Sequence, residues 1–289
     1  RVWGVLDFAG GTVVQMSAGF AALAGAIFLG RRKAHAEGVP HAPANVPFVL
    51  LGTGMLWFGW YGFNAGSALA ANGTAVSAFM TTHIAAASAM LAWVFLDHVQ
   101  GRKFSAIGAC VGSVVGLVAI TPAAGFVNVG ASILIGAVAS VVSNLAVQLK
   151  NKSSIDDTLD VFPCHGVGAI VGMIATGVFA KDVGLIHGDP KTFLVHLLAL
   201  VIVSAYCFGG AYLLYKIVDR IVPMRVSEEC EDEGLDLSQH GECLPEAFPS
   251  AVPGLRRSRG TIKRDASRGQ LPENGEEVSS MDFQSFEVS

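Results

Sequence analysis

Apolar residues in this chain gather into seven long blocks, at positions 8–30, 47–69, 75–97, 104–121, 127–149, 162–180 and 192–218, joined by short polar connections. A helix needs about 20 apolar residues to cross a bilayer. The pattern therefore predicts seven transmembrane helices, the fourth and sixth near the lower length limit. The fold class expected is all-α, a polytopic membrane helix bundle.

The polar connections orient the bundle. Those after the first, third and fifth blocks carry Arg31, Arg32 and Lys33, then Arg102 and Lys103, then Lys150 and Lys152. The connections after the second and fourth blocks carry no Lys or Arg, and the one after the sixth has Lys181 and Lys191. Basic loops favour the cytosolic side, so the chain is expected to start outside and end in the cytosol. It opens at Arg1, without an initiator Met, and runs at once into an apolar block. The expectation is a chain lacking its N-terminal part.

Composition agrees with a lipid setting. Of 289 residues, 52% are hydrophobic and 15% charged, with mean hydropathy +0.53, where soluble domains run near a quarter charged. The 34 glycines suit helices packed closely in lipid. A net charge of −4 argues against a nucleic-acid partner, and seven spans exclude a soluble enzyme. No cofactor is called for. The five cysteines show no metal spacing. Cys230, His240 and Cys243 offer three ligands where a structural zinc takes four.

Beyond Pro223 the composition changes. Residues 225–248 are strongly acidic and then mixed, and from Pro249 the chain is rich in Ser, Gly, Arg and Glu. Such a tail cannot bury a core and is expected to be disordered. The organisation expected is a transmembrane domain at 1–222, a cytosolic regulatory segment at 223–248 and a disordered tail at 249–289.

Polar residues inside apolar blocks are costly and face a cavity or a partner. His165, in PCHGVGAIVG at the start of the sixth block, reads either as a pore-lining residue or as a hydrogen-bonded packing histidine. Trp60, Phe63, Asn64 and Ser67 share one helical face by their spacing. Two rings, an amide and a hydroxyl suit a cation; the other reading is an aromatic belt with ordinary packing. Gly62 and Gly66 form a small-xxx-small seam. Asp7 reads as a helix cap with a secondary field effect on cations, and Asp157 and Asp160 invite the same cap reading. His83 and His196 show no partner in the sequence and read as packing residues. One internal repeat stands out: Asp7 precedes Gln15 by eight residues, and Asp157 precedes His165 by eight. Five spans separate the copies, so they enter from opposite faces, as paired groups do in inverted-topology transporters.

Four stretches carry a resemblance: DFAGGTVVQMSAG (7–19), GWYGFNAGSAL (59–69), DDTLDVFPCHGVGAIVG (156–172) and GLDLSQHGE (234–242). Together they resemble the Amt/Mep/Rh ammonium transporters over residues 1–245. The resemblance implies an eleven-helix inverted-repeat fold of which this chain supplies the fifth to eleventh helices, usually assembled as a trimer, here a homotrimer or a heterotrimer with family members. It implies ammonium or ammonia as substrate, a lipid bilayer around the protein, and the plasma membrane as its place. His165 matches one of two facing pore histidines, and Gln15 stands where the other is usual. Trp60 matches a pore-lining tryptophan, Phe63 a gate phenylalanine, Ser67 the outer-site serine and Asp7 the aspartate that steadies the outer cation site. An amide at Gln15 hydrogen-bonds but cannot titrate, which bears on the proton route. The GLDLSQHGE stretch resembles the family's regulatory tail, with Ser238 where plant relatives carry a phosphorylated threonine, implying a kinase partner; Ser258 and Ser267 follow basic residues and are further candidates. A seven-helix receptor shares the span count, but a rhodopsin-like one would need a Lys in its last span, and 192–215 has none. An ammonium sensor on the same fold is the remaining alternative, favoured by Gln15 and the long tail.

Overall fold

The structure, a computed structural model, describes residues 3–39 and 43–242, and within them all regular structure is helical. Cys243, Ser258, Ser267 and the tail 249–289 lie outside the described residues. The apolar blocks become α1 (Gly11–Leu29), α2 (Val46–Gly66), α3 (Gly73–Val99), α4 (Ala106–Ile120), α5 (Val129–Asn151), α6 (Phe162–Phe179) and α7 (Pro190–Ile221). Six are long and apolar enough to cross a membrane, and α4, at 15 residues, is shorter. The protein is a multi-pass membrane protein.

Most helix starts follow from local chemistry. Asn45, Asn72, Ser105, Asn128 and Asp189 each accept a bond from a backbone N–H two or three residues on, satisfying donors that have no partner within the helix. The chain leaves α1 through Gly30 at φ 75°.

Helix α4 is short because it is enclosed rather than lipid-facing. It packs against α2, α3, α5 and α6, and Val115 and Leu117 to Ile120 are fully buried. Beyond Ile120 the chain runs on without helix through a largely buried segment, 121–127. Irregular backbone at membrane depth is tolerated where protein satisfies it, and it is satisfied here. The carbonyls of Thr121, Pro122 and Phe126 accept from the amides of Ala9, Phe8 and Lys181, and that of Ala124 accepts from the Thr81 hydroxyl.

Close approaches between the described helices are made by small residues. Nothing in the described residues comes within 4 Å of a Cβ placed on Gly62 or Gly66. The tight contacts lie deeper, where Gly116 of α4 and Gly136 of α5 both press on the Ala85 backbone of α3, and Gly19 of α1 presses on Gly166 of α6.

Helices α1 and α6 run antiparallel. The Arg32 guanidinium, just past the end of α1, makes a two-pronged bond to Asp156, just before α6, at 2.8 Å on each prong. Asp7 and Asp157 therefore stand at opposite faces of the bundle. The chain after α7 returns to the same basic face. Arg225 donates to the carbonyls of Leu29 and Arg31 and pairs with Glu231, which accepts from the Lys33 amide. Lys33 pairs with Asp232 at 2.8 Å. Residues 3–241 form one compact unit that includes this segment.

Candidate functional site

The two copies of the eight-residue repeat build the same local structure. Asp7 accepts from the amides of Gly10, Gly11 and Thr12 and from the Thr12 hydroxyl. Asp157 accepts from the amides of Val161 and Phe162 at 3.1 and 2.7 Å. Each aspartate caps a helix that opens with a wide π-type turn, Gly11–Met16 in α1 and Phe162–Val167 in α6. Each copy has a left-handed residue three positions after its aspartate, Gly10 at φ 100° and Asp160 at φ 56°. Asp160 thus departs from the cap reading. Its carboxylate makes an ion pair with Lys150 at 2.6 Å instead, because the left-handed backbone turns that residue out of the cap position. Burial pushes the Asp160 carboxyl above its ordinary range, against the opposing pull of Lys150.

The wide turns bring the eighth residues of the two copies together. His165 Nδ1 and Gln15 Oε1 are 2.8 Å apart, across 150 positions of sequence. With the amide oxygen toward the ring, Nδ1 carries the proton and Nε2 is left as the ring's acceptor. Close contact between Gly19 and Gly166 makes this meeting possible, and the Phe20 and Phe162 rings stack edge-on beside it, 5.4 Å apart.

Gln15 and His165 line a cavity of about 360 Å³ with Val14, Leu56, Trp60 and Phe63. Its walls are apolar apart from the amide and the imidazole. Trp60 is fixed at its back, the indole N–H donating to the Thr121 hydroxyl at 3.0 Å. Phe63 lies 5.6 Å from the Trp60 ring and stays 39% exposed.

A second cavity, about 930 Å³, opens at the face opposite the basic one and is lined by Asp7, Thr12, Ser67, Phe126 and the segment from Trp3. The two cavities are consecutive along α1, whose Thr12 and Val13 line one and Val14 and Gln15 the other.

The shared face expected of α2 divides in three. Trp60 and Phe63 go to the inner cavity and Ser67 to the open one. Asn64 is fully buried and donates to the Thr82 hydroxyl at 2.9 Å. The two histidines read as partnerless both have partners. His83 Nδ1 is 2.7 Å from the Tyr61 hydroxyl. His196 accepts from the Leu6 amide at Nε2 and bonds the Met173 carbonyl through Nδ1. His196 is thus a buried strut holding the segment ahead of Asp7 against α6 and α7. Its partners lie 23 and 190 positions away, which no local pattern reveals. Also missed was Asp97 at the end of α3, buried and bonded to Arg102 and Asn144.

Among the described residues no group of three or more His, Cys, Asp or Glu is placed to hold a metal. Ser238 is half-buried, its hydroxyl donating to the Cys230 carbonyl at 3.1 Å.

The family model described as the Ammonium Transporter Family matches residues 1–244. An ammonium transporter of Aquifex aeolicus is 49% identical over 245 residues, which is 83% of this chain and 57% of that protein. The crystal structure of Candida albicans Mep2 superposes with a TM-score of 0.74 at 38% identity, over 78% of this chain and 53% of that one. A structure titled Sensor Amt Protein superposes with a TM-score of 0.77 at 29% identity, over 83% of this chain and 61% of that one. The chain thus spans a little over half the length of these relatives.

Proposed function

Because the chain belongs to the ammonium transporter family, we propose that it forms the larger part of a pore that takes up ammonium and passes ammonia. The observation that carries this reading is the Gln15–His165 bond inside an apolar cavity walled by Trp60 and Phe63.

The energetics follow from the lining. A bare cation pays heavily to enter an apolar passage, whereas neutral ammonia pays little. Ammonium gathers outside at the open cavity, where Asp7 supplies a negative field and Ser67 an oxygen. The Asp7 carboxylate is already engaged by its cap bonds, so it acts through its field. Phe63 and Trp60 then narrow the way and offer ring faces to a cation. Beyond them ammonia crosses beside His165, while the proton leaves by a separate route. Gln15 holds the imidazole in place but cannot itself change protonation, so in this pair His165 alone can titrate. Asn64, Asp157 and Asp160 support the site structurally.

The basic connections favour a cytosolic C-terminus, and the family resemblance favours the plasma membrane as the site of action. The assembly is a homotrimer or a heterotrimer with relatives. The segment 223–248 regulates from the cytosolic side, with Ser238 as a kinase target. In this reading the cavity of Asp7 and Ser67 is the outer mouth and the face of Arg32 and Lys150 the inner one.

Full-length protein in liposomes, given ammonium and then potassium gradients, tests the reading. Current with ammonium and none with potassium is expected; no ammonium flux, or equal potassium current, overturns it. Gln15 and the likeness to a sensor Amt protein favour a second reading, an ammonium sensor. Saturable ammonium binding without flux would select it.

A further inference from the structure

The two mouths are built from one repeat, yet they differ at one register. Aligning Asp7 with Asp157 places Gly10 opposite Asp160 and Gln15 opposite His165. The outer copy offers no second carboxylate at that position. The inner copy offers Asp160, and its partner is a lysine ammonium. Lys150 Nζ lies 2.6 Å from Asp160 Oδ1 and 2.7 Å from the Asp157 carbonyl oxygen. Its side chain is 11% exposed and that of Asp160 27%. A carboxylate and a carbonyl around one primary ammonium form a ligand set that fits free ammonium equally well, since both present several N–H donors and one positive charge.

The carboxylate is placed there at a backbone cost. Asp160 adopts φ 56°, a region a glycine occupies freely, as Gly10 does in the other copy. The carboxylate, rather than the turn, is therefore what this residue adds. The pair sits at the first turn of α6, where the Asp160 carbonyl accepts from the amide of Cys164, the neighbour of His165.

We infer that Lys150 is a tethered ammonium group that fills, from within the chain, a cation position at the inner mouth, so that cytosolic ammonium is recruited more weakly than external ammonium. The inference rests on the transport reading for its consequence, but not for the site itself. The ammonium position exists whether or not the protein conducts. A passive pore still reaches the same equilibrium; what differs between the faces is the concentration at which each saturates.

Two measurements on the full-length protein test it. The first is chemical rescue of Lys150→Ala, with thermal unfolding followed in methylammonium chloride and in sodium chloride of equal strength. Methylammonium should fill the vacated position and raise the Tm of Lys150→Ala by more than it raises that of the wild type. The excess should vanish in Lys150→Ala/Asp160→Gly. Equal shifts in all three proteins would overturn the site, whether or not the protein transports. The second is ammonium current with substrate applied to each face in turn. Lys150→Ala should lower the half-saturating concentration at the inner face about threefold or more and leave the outer value unchanged. Asp160→Gly, which relieves the left-handed strain and leaves an unpaired lysine, should raise the inner value; it serves where Lys150→Ala does not fold. Inner values that stay put, or that move together with the outer ones, overturn the asymmetry. Absence of current from the wild type overturns the transport reading and leaves the rescue experiment to decide the site.

Discussion

His165 and Gln15 meet at 2.8 Å although 150 residues separate them. One is an imidazole and the other an amide, each delivered by the wide first turn of a helix that an aspartate caps. In the transport reading proposed above, the chemistry of the pore waist is that of this unequal pair.

Replacing His165 by Asn keeps a hydrogen-bonding side chain but removes the only titrating group of the pair. Ammonium current should fall at least about tenfold, or potassium should begin to pass; a tenfold loss corresponds to roughly 1.4 kcal/mol of barrier. Current and selectivity that match the wild type would remove His165 from the mechanism.

Gln15→His installs a second imidazole at 2.8 Å reach of the first. The variant should conduct, because the apolar walls are untouched, but its current should change with pH differently from the wild type, since two coupled imidazoles share protons. Ammonium current recorded from pH 5 to 8 in both proteins decides this, and superimposable profiles would argue against a proton role for the pair.

Gly19 faces the Gly166 backbone with no space for a methyl group. Gly19→Ala must push α1 and α6 apart, at a cost of roughly 1–3 kcal/mol for overpacking, and it separates the two halves of the waist. A lowered Tm together with lost current is the expected outcome. Gly62→Ala, where nothing among the described residues lies within 4 Å, serves as the control; Ala suits a helix better than Gly, so its Tm should not fall.

The joint between Arg32 and Asp156 gives a pH dependence. Burial alone would raise the Asp156 carboxyl, but the hydrogen bonds and charge of Arg32 outweigh it and hold it well below the usual carboxylate range. A carboxyl depressed in the folded state contributes stability in full above its unfolded value, about 4, and loses it as pH falls toward the folded value. Asp156→Asn should therefore unfold at a lower temperature than the wild type at pH 7 and by the same margin at pH 5.5. The gap should narrow below pH 4. A margin that stayed constant to pH 3 would contradict the assignment.

Ser238 donates to the Cys230 carbonyl within a segment that Glu231 and Asp232 hold against Arg225 and Lys33. A phosphate there gives up that donor bond and adds like charge beside Glu231 and Asp236, which favours undocking. Ser238→Asp and Ser238→Ala should differ in ammonium current in the full-length protein, and equal currents would count against regulation at this residue.

Local and one-dimensional information was enough for much of this molecule. Apolar blocks set the helices, Asn, Ser and Asp set most of their starts, and basic loops marked one face, because each depends on residues a few positions apart. The repeat of Asp7 with Gln15 and Asp157 with His165 was also legible as spacing. Pairings between distant residues were not. That Gln15 bonds His165, that His196 braces Leu6 against Met173, that Lys150 pairs with Asp160 and that Gly19 meets Gly166 all depend on how antiparallel helices register. The short α4 shows the same division. Its apolar length suggested a marginal span, and only the packing of its neighbours around it revealed a buried core helix whose continuation is satisfied by backbone from elsewhere. Helices and their caps form from short-range bonds, whereas the cavity of Gln15 and His165 is made by side chains that meet only once the bundle has closed.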